Sequence, residues 1–471
     1  MGRTFGALLT IASVALYSRL LPPSQYGILT LSLSTAALFN ALFCTWVAQS
    51  VFRMYSETTD LKVLLLTGKF LFVASILISV ISAMLAMILS NQLFNPILMA
   101  GIVLIASGYS VFEYRTVLIT RQELPFRYLR MQLTRLAFSL ILPIPVYLIS
   151  QSFDFFMIAL GLAYWAPLTS LLVQKSNYTF KREHIDFGLI GDLAKYGVPV
   201  ALSILLIQLA SSLDRYILTV YSGLDTVAGY AAGADLALFA VGIVASSLNQ
   251  AFYPRLLSLY SSQKFAAEQL LYRRYLSCFF ALTLPASVGI YFVSGELTHL
   301  LIGESIRSDA SIALSIFAFT AFFLNAKSFV FDLRFQIAKS ILLPIINAIF
   351  TIALLIGCCI ILIPAYGVQG AAISSFVSLS FSCGLSLALS AKLGKSVKYP
   401  INELGKIVTA TALMSLVLYI LGQGLGSIIG LISKILIGVS VYFLALLMMR
   451  YKPAQDALKS ALSSVRAILK H

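Results

Sequence analysis

The stretch from Ser340 to Ala391 decides the fold. It consists of two apolar runs, SILLPIINAIFTIALLIGCCIILI (340–363) and VQGAAISSFVSLSFSCGLSLALSA (368–391), and it contains no charged residue. A helix needs about 20 mostly apolar residues to cross a bilayer, whereas the strands of an outer-membrane barrel are segments of about ten residues with alternating polarity. We therefore expect each run to cross a membrane as a helix.

Apolar runs of similar length fill the rest of the chain. Of its 471 residues, 59% are hydrophobic and 11% are charged, whereas an ordinary soluble domain has about 25% charge. The sequence predicts an all-α polytopic membrane helix bundle of about 14 transmembrane helices. Twelve helices is the alternative, because prolines interrupt the pair of runs between 133 and 173. The runs are 4–21, 28–51, 70–90, 97–119, 133–149, 153–173, 198–220, 227–252, 275–293, 310–331, 340–363, 368–391, 407–421 and 428–449.

The net charge of +15 comes from basic residues that lie mostly in one set of predicted loops. Short cytoplasmic loops of membrane proteins are rich in Lys and Arg. Here one set of alternate loops, together with the two termini, holds every basic residue except Arg19, Arg215, Arg307, Lys327 and Lys434. We therefore expect both termini to be cytoplasmic, and the charge indicates orientation rather than binding to nucleic acid.

The cysteines and histidines do not form a pattern that binds a cofactor. All five cysteines lie inside apolar runs without a CxxC pair, and the three histidines are far apart in the sequence. A cysteine in such a run behaves as a small apolar residue. We expect no disulfide, metal or other cofactor, and we expect the N-terminal run to stay in the protein as the first span.

The chain is predicted to contain two related halves. The longest polar connection, from Gln174 to Tyr196, follows six apolar runs. An even number of spans returns the chain to the same side, so the second half would be a parallel repeat of the first. The predicted domains are a six-helix lobe at 1–180, a second six-helix lobe at 181–392, an appended helix pair at 393–450 and a cytoplasmic tail at 451–471.

Two arginines occupy equivalent places near the outer ends of spans in the two halves. Arg19 ends the first run, and Arg215, adjacent to Asp214, lies in the outer half of the seventh. A charge at a span centre costs about 2.5–3.5 kcal/mol and usually faces a cavity or a partner. Because a guanidinium offers a planar fork of donors that matches phosphate oxygens, we expect both arginines to bind a diphosphate. The alternative is that both side chains reach the outer lipid headgroups.

Other charged residues of the spans have two interpretations. Arg53 and Arg255 end the second and eighth runs, where they either mark orientation or form an inner rim that captures phosphate. Four further charged residues either line a substrate cavity or form ion pairs with nearby residues. They are Glu113, Asp235, Lys327 and Lys434. We place Lys327 with the substrate-binding residues. The candidates for charge partners or ion coupling are Asp214, Asp235 and Glu113.

Four amide side chains within the spans can bind sugar hydroxyls. The alternative is hydrogen bonding between neighbouring helices of the bundle. The four residues are Asn40, Gln208, Asn249 and Gln250.

The predicted outer loops are too short for an enzyme that acts on lipid-linked sugars. Such enzymes place carboxylates or metal ligands at a membrane face. The one longer loop, 294–309, contains Glu296, His299, Glu304 and Asp309, but we interpret it as a solvated connection. We therefore expect a transporter and not an enzyme.

Three motifs in order resemble a known transporter family. SRLLPPSQYG (18–27) resembles the R-x-L-G-P-x-x-Y-G end of the first helix in Wzx-type polysaccharide flippases of the multidrug/oligosaccharidyl-lipid/polysaccharide (MOP) superfamily, with a proline where that family has glycine. LDRYIL (213–218), followed by Gly229 and Tyr230, resembles the seventh-helix segment. YGVQGAA (366–372) resembles the late Y-G-x-x-G-A-A turn. The resemblance covers nearly the whole chain in its span count and in its two halves.

The resemblance implies transfer of undecaprenyl-diphosphate-linked oligosaccharide units across the bacterial inner membrane. In the family, two lobes alternate access around a central cationic cavity, and in related lipid II flippases its arginines lie on the first, second and eighth helices. Carried onto this chain, these positions are Arg19, Arg53 and Arg255, to which we add Arg215. The expected partners are the lipid-linked oligosaccharide, membrane lipids and other polysaccharide assembly proteins. Coupling to H⁺ or Na⁺ is also implied.

Two other functions stay open from the sequence. A cation-coupled multidrug antiporter of the MATE branch would need a membrane-embedded acid in the first half, where spans 1 to 3 contain none and Glu113 is the nearest candidate. A membrane glycosyltransferase or polysaccharide polymerase is disfavoured because there is no large outer loop.

Overall fold

A computed structural model of the chain is helical throughout the part that it describes. It describes residues 2–55, 60–89, 95–122, 124–168, 186–338, 340, 342–391, 399–422 and 428–456. No strand occurs among these residues, so the predicted all-α class is confirmed. His184, His471 and the end of the predicted tail lie outside the described residues.

The first ten α-helices that the structure describes precede residue 223. In chain order they are α1 (Gly2–Leu20), α2 (Pro23–Phe39), α3 (Thr45–Met54), α4 (Leu61–Leu89), α5 (Pro96–Arg121), α6 (Pro125–Ile141), α7 (Pro143–Ser150), α8 (Phe153–Trp165), α9 (Phe187–Ala210) and α10 (Leu213–Ser222). A π-helix, Asn40–Cys44, joins α2 to α3, and a short 3₁₀ helix, Ala166–Leu168, follows α8.

Eight further α-helices are described after residue 223. They are α11 (Leu224–Ser261), α12 (Phe265–Phe292), α13 (Ser294–Leu301), α14 (Arg307–Ala326), α15 (Asp332–Ile337), α16 (Leu342–Ala391), α17 (Ile401–Ile420) and α18 (Ile428–Met448). A second π-helix, Lys327–Phe331, joins α14 to α15, and a 3₁₀ turn, Glu304–Ile306, precedes α14.

The helices group into two compact units. Unit 1 comprises Met1–Tyr17, Leu21–Val220 and Ala348–Ile356, and unit 2 comprises Ser18–Leu20, Tyr221–Asn347 and Gly357–His471. The predicted boundaries after residues 180 and 392 lie outside the described residues. The division into two six-helix lobes and an appended pair therefore stays a prediction.

The helices account for the predicted number of spans. Eleven helical segments of the described chain are long and apolar enough to cross a membrane, and two shorter apolar helices cover 9–20 and 153–168. One of the eleven, α16, is two helices that meet at Gly367, whose φ of 53° and ψ of −124° are not helical. A residue with a side chain rarely adopts this positive φ. With α16 counted as two spans, the eleven segments become twelve, and the two shorter apolar helices bring the total to the 14 expected from the apolar runs.

Helix starts follow local sequence chemistry. Proline occupies the first position of α2, α5, α6 and α7, where its missing N–H costs nothing. Asn95 caps α5 by accepting the N–H of Ile97 at 3.1 Å, and Asp186 caps α9 by accepting the N–H of Gly188 at 2.8 Å. These caps satisfy backbone donors that the first turn of a helix leaves free.

The seventh apolar run contains a break that the sequence analysis did not predict. It was expected to be continuous from 198 to 220, but α9 ends at Ala210 and α10 begins at Leu213. The hydroxyls of Ser211 and Ser212 donate to backbone carbonyls four residues earlier, at 2.9 and 2.7 Å. Serine competes with the helical backbone in this way, and the break gives α10 an N-terminus of its own.

Within unit 2, α11 approaches α14 through two glycines spaced four residues apart. A Cβ on Gly233 would lie 2.2 Å from the carbonyl oxygen of Ala310, and one on Gly229 would lie 2.5 Å from the Cβ of Asp309. Small residues at this spacing let membrane helices pack backbone to backbone.

Gly233→Ala is expected to destabilise the protein. The new methyl would force α11 away from α14, at a cost of about 1–3 kcal/mol in the free energy of unfolding. Denaturant unfolding of the purified protein in detergent measures this change. Gly357→Ala is the control, because nothing lies within 4 Å of its added Cβ; equal stability of the two variants would contradict the prediction.

Candidate functional site

Arg215 and Asp214 lie in the first turn of α10, in unit 1. Their side chains are buried, with residue exposures of 9% and 3%. Oδ1 of Asp214 accepts the backbone N–H of Arg215 at 2.8 Å. A carboxylate is favourable at a helix N-terminus, where backbone N–H groups are free. Because the helix breaks at Ser211 and Ser212, both charged groups lie at a helix N-terminus inside an apolar span.

The helix that carries Arg215 is fixed to α2 by a polar contact. The hydroxyls of Tyr216 and Thr35 are 2.8 Å apart, and Thr35 Oγ1 also donates to the carbonyl of Leu31. A buried arginine on an anchored helix can present its donors in a defined direction, which recognition of phosphate oxygens requires.

Arg53 lies exposed in the last turn of α3. Its guanidinium stacks over the ring of Tyr196 on α9, with Cζ at 4.8 Å from the ring centroid. A cation over an aromatic face is attracted by the negative face of the ring. Its assignment to an inner rim stays a prediction.

Glu113 has a charged neighbour that the sequence analysis assigned to a loop. Arg135, counted there as a cytoplasmic loop residue, lies inside α6, and its charge interacts with that of Glu113 on α5. The Arg135 guanidinium is 4.6 Å from the ring centroid of Phe112 and 5.3 Å from that of Tyr164. Its Nε is buried without a hydrogen-bond partner among the described residues.

Glu113 lines a polar cavity of unit 1. The cavity has a volume of about 170 Å³, and the π-helix Asn40–Cys44 forms part of its wall. Its polar lining consists of three amides, two phenols, a hydroxyl, a thiol and the carboxylate of Glu113. These lining residues are Asn40, Cys44, Thr45, Gln49, Tyr109, Glu113, Tyr114 and Gln208.

Arg19 ends α1 and belongs to unit 2. It is exposed, and its Nη2 donates to the carbonyl of Leu300 at the end of α13. The preceding residue contacts the same connection, because Ser18 Oγ accepts the N–H of Gly303 at 3.2 Å. A Cβ on Gly303 would lie 2.1 Å from the carbonyl oxygen of Ser18, so this approach requires glycine.

Lys327 forms a buried ion pair in unit 2. Its Nζ lies 2.7 Å from Oδ2 of Asp332, and the side chains are 8% and 11% exposed. Five residues span 500° of an ideal α-helix, so positions i and i+5 point in different directions. In the π-helix Lys327–Phe331, the N–H of Asp332 bonds the carbonyl of Lys327, and this extra residue aligns the two side chains.

A hydrogen-bond network extends from this pair. Oδ1 of Asp332 accepts the hydroxyl of Ser386 at 2.5 Å, and Ser386 accepts from Nδ2 of Asn347 at 2.6 Å. The hydroxyl of Ser382 donates to Oδ1 of Asn347 at 2.9 Å. The sequence analysis did not single out Asp332 or Asn347, although an acid five residues after an intramembrane lysine was a usable indication.

The π-helix itself is held by two tyrosines of α12. The hydroxyl of Tyr272 donates to the carbonyl of Val330 at 3.0 Å, and that of Tyr275 donates to the carbonyl of Phe329 at 2.8 Å. A π-helix leaves carbonyls outside the regular α-helical pattern, and buried carbonyls require donors.

A second buried ion pair joins two residues that the sequence treated separately. Nζ of Lys434 on α18 contacts Oε1 of Glu296 on α13, and both side chains are under 10% exposed. Of the two interpretations of Lys434, the structure shows local pairing. The same pair engages Glu296, one of the three acids of the 294–309 connection.

The remaining candidates lie on α11 of unit 2. Asp235 is partly buried, and Arg255, which follows Pro254, is exposed. Unit 1 thus holds Arg53, Glu113, Asp214 and Arg215, and unit 2 holds Arg19, Asp235, Arg255 and Lys327. Among the described residues, no group of three His, Cys, Asp or Glu side chains is arranged to hold a metal ion.

Sequence comparison finds a matching family and a relative that aligns over most of both chains. The model of a family described as polysaccharide biosynthesis protein matches residues 16–311. A protein of Shigella flexneri, named for O-antigen transport, is 23% identical over 394 residues, which cover 79% of this chain and 91% of that protein.

Solved structures share the fold. The lipid II flippase MurJ in an inward closed conformation superposes with a TM-score of 0.74 at 16% identity, covering 97% of this chain and 98% of its own. An inward-facing multidrug resistance transporter of the MATE family, in the MOP superfamily, superposes with a TM-score of 0.63 at 15% identity, covering 82% and 94%. The helices described above therefore follow the fold of MOP-superfamily transporters.

Proposed function

Because this chain belongs to the polysaccharide biosynthesis protein family, we propose that it is a flippase for lipid-linked oligosaccharides. It translocates undecaprenyl-diphosphate-linked repeat units across the bacterial inner membrane by alternating access, for O-antigen, capsule or exopolysaccharide biosynthesis. Both termini lie in the cytoplasm, in keeping with the distribution of Lys and Arg. The protein acts as a transporter and not as an enzyme.

The match to a flippase fold, in a chain of this family, carries the proposal. The chain follows the fold of a lipid II flippase over 97% of its length, and its family is defined by polysaccharide biosynthesis. A flippase fold in such a family matches a substrate that combines a lipid anchor, a diphosphate and sugars. The three sequence motifs of the first, seventh and twelfth spans support the same assignment.

Arg215 is the strongest candidate for the diphosphate. It is buried within a span, where a guanidinium is retained only if it has a partner or a ligand. Arg19 and Arg53, in the last turns of their helices, and Arg255, inside α11, are exposed and stay in the proposed set. Lys327 remains in the proposed set, although Asp332 already balances its charge.

A cation-coupled multidrug antiporter is the second candidate. It is supported by the likeness to a MATE transporter and by Glu113, an acid of the fourth span that lines a polar cavity. A glycosyltransferase or polymerase is the third, and no contact described above favours it.

Reconstitution distinguishes these functions. Purified protein in proteoliposomes that contain an undecaprenyl-diphosphate-linked oligosaccharide on one leaflet is expected to expose the sugars on the other, as measured with a membrane-impermeant sugar-oxidising reagent. The expected rate is at least tenfold above protein-free vesicles.

Two other outcomes would contradict the flippase proposal. Efflux of a cationic dye without lipid transfer would identify an antiporter, and lengthening of the oligosaccharide would identify a polymerase. In a bacterial host, depletion of the protein is expected to make repeat units accumulate on the cytoplasmic leaflet.

A further inference from the structure

The polar cavity of unit 1 brings together residues from four spans. Asn40 and Gln49 come from the second span, Glu113 from α5 and Gln208 from α9, while Phe72 of α4 completes the wall. Asn40 and Gln208 are two of the four amides that the sequence marked as partners for sugar hydroxyls. They are 168 residues apart in the sequence, and the fold places them on one cavity.

Three of these side chains make no hydrogen bond with the described residues, although the charge of Arg135 interacts with that of Glu113. They are the side chains of Gln49, Gln208 and Glu113. Inside a membrane span, such groups require water or a ligand, because an unsatisfied polar group is costly. Their polar atoms therefore line a cavity that can hold water or a polar ligand.

The chemistry of the lining matches an uncharged polyhydroxyl group. None of the described residues that line the cavity is Lys or Arg, so it does not suit a diphosphate. Amides both donate and accept, and a carboxylate accepts from two hydroxyls, which together suit vicinal sugar hydroxyls. The rings of Tyr114 and Phe72, whose centroids are 4.1 Å apart in a stacked pair, belong to the same wall.

The wall of the cavity is held in shape. The N–H and Oγ1 of Thr45 both bond the carbonyl of Asn40 across the π-helix, with the Oγ1 contact at 3.0 Å. Nδ2 of Asn40 donates to Oγ1 of Thr45 at 3.3 Å, so its oxygen is oriented by the same contact. A preformed site loses less entropy when a ligand binds.

We propose that this cavity binds one sugar ring of the lipid-linked oligosaccharide, with the amides of Gln49 and Gln208 donating and accepting hydrogen bonds and the carboxylate of Glu113 accepting them. Its volume of about 170 Å³ has room for about five water molecules, which fits a single ring and not a whole repeat unit. The site thereby selects among substrates by their sugar, while arginines elsewhere bind the diphosphate. This inference rests on the proposed flippase function.

The test compares two lipids in proteoliposomes. Undecaprenyl-diphosphate that carries one N-acetylglucosamine and the same lipid without sugar are followed by transfer between leaflets. The wild-type protein is expected to prefer the glycosylated lipid. In the variant Gln49→Leu with Gln208→Leu, which keeps the side-chain volume, the ratio of the two rates is expected to fall about tenfold, because two hydrogen bonds are lost.

Gln132→Leu is the matched control. Gln132 lies on α6, where its Nε2 donates to the hydroxyl of Tyr128 at 3.2 Å, and it does not line the cavity. The control is expected to keep the wild-type ratio. Thermal unfolding in detergent confirms that each variant is folded.

Three results would overturn the inference, and they differ from one another. If the double variant keeps the wild-type ratio of the two transfer rates, the cavity does not bind the sugar. An unchanged ratio, together with loss of stimulation by an imposed H⁺ or Na⁺ gradient, identifies the cavity as a cation site instead. If the wild-type protein moves neither lipid, the flippase proposal itself fails.

Discussion

Lys327→Ala is expected to lower the free energy of unfolding by about 3–5 kcal/mol. The substitution leaves the carboxylate of Asp332 buried, with the hydroxyl of Ser386 still donating a hydrogen bond to it. Removing one partner of a buried ion pair is costly because the other charge stays out of water. Denaturant unfolding of the purified protein in detergent, at constant protein concentration, gives the size of the loss.

Two comparisons make this prediction specific to the pair. Lys327→Met combined with Asp332→Leu removes both charges and is expected to recover most of the stability, because apolar residues can replace a buried ion pair. Lys195→Ala breaks an exposed pair with Asp192 at 3.3 Å and is expected to cost less than about 1 kcal/mol. If Lys327→Ala were as stable as the wild type, the ion pair between Lys327 and Asp332 would not form.

Arg215→Ala is expected to reduce flipping of the lipid-linked oligosaccharide about 100-fold. A guanidinium can make two charge-assisted hydrogen bonds to a diphosphate, and the loss of such contacts accounts for an effect of this size. Arg215→Lys is expected to be intermediate, because an ammonium lacks the planar fork. The readout is the initial rate of transfer between leaflets in proteoliposomes.

The burial of Arg215 requires a separate measure of folding. Transfer rates are normalised to the amount of folded protein, determined by thermal unfolding in detergent. Arg274→Ala, an exposed arginine of α12, is the control and is expected to transport at nearly the wild-type rate. Normal transfer by a folded Arg215→Ala protein would remove Arg215 from the site, and adding Arg19→Ala would then test the other outer arginine.

The sequence predicted the fold because membrane spans depend on local properties. The length of an apolar run fixes whether a helix can cross a bilayer, and this was sufficient for the all-α class and for 14 spans. The turn at Gly367 was also predictable, since it lies between two such runs. Local capping groups such as Asn95 and Asp186 then fix where individual helices begin.

The candidate site was predictable only in part. Arg215, Glu113, Asn40 and Gln208 were identified because a polar group inside an apolar run is costly and conspicuous. Arg135 was missed because it lies near the start of a proline-interrupted run and was counted with the loop before it. Its position beside Glu113 depends on the packing of α5 against α6, across 22 positions of sequence.

By itself, the sequence determined that this protein is a bundle of membrane-spanning helices, and it identified many of the charged and amide residues that the spans contain, although not Arg135, Asp332 or Asn347. Only the tertiary structure decided their partners. The π-helix brings Lys327 to Asp332, the approach of α13 and α18 joins Glu296 to Lys434, and the second, fourth and seventh spans meet at the polar cavity. The physical reason is that apolar periodicity specifies a helix locally, whereas the partner of a buried polar group is set by contacts between helices that are distant in sequence.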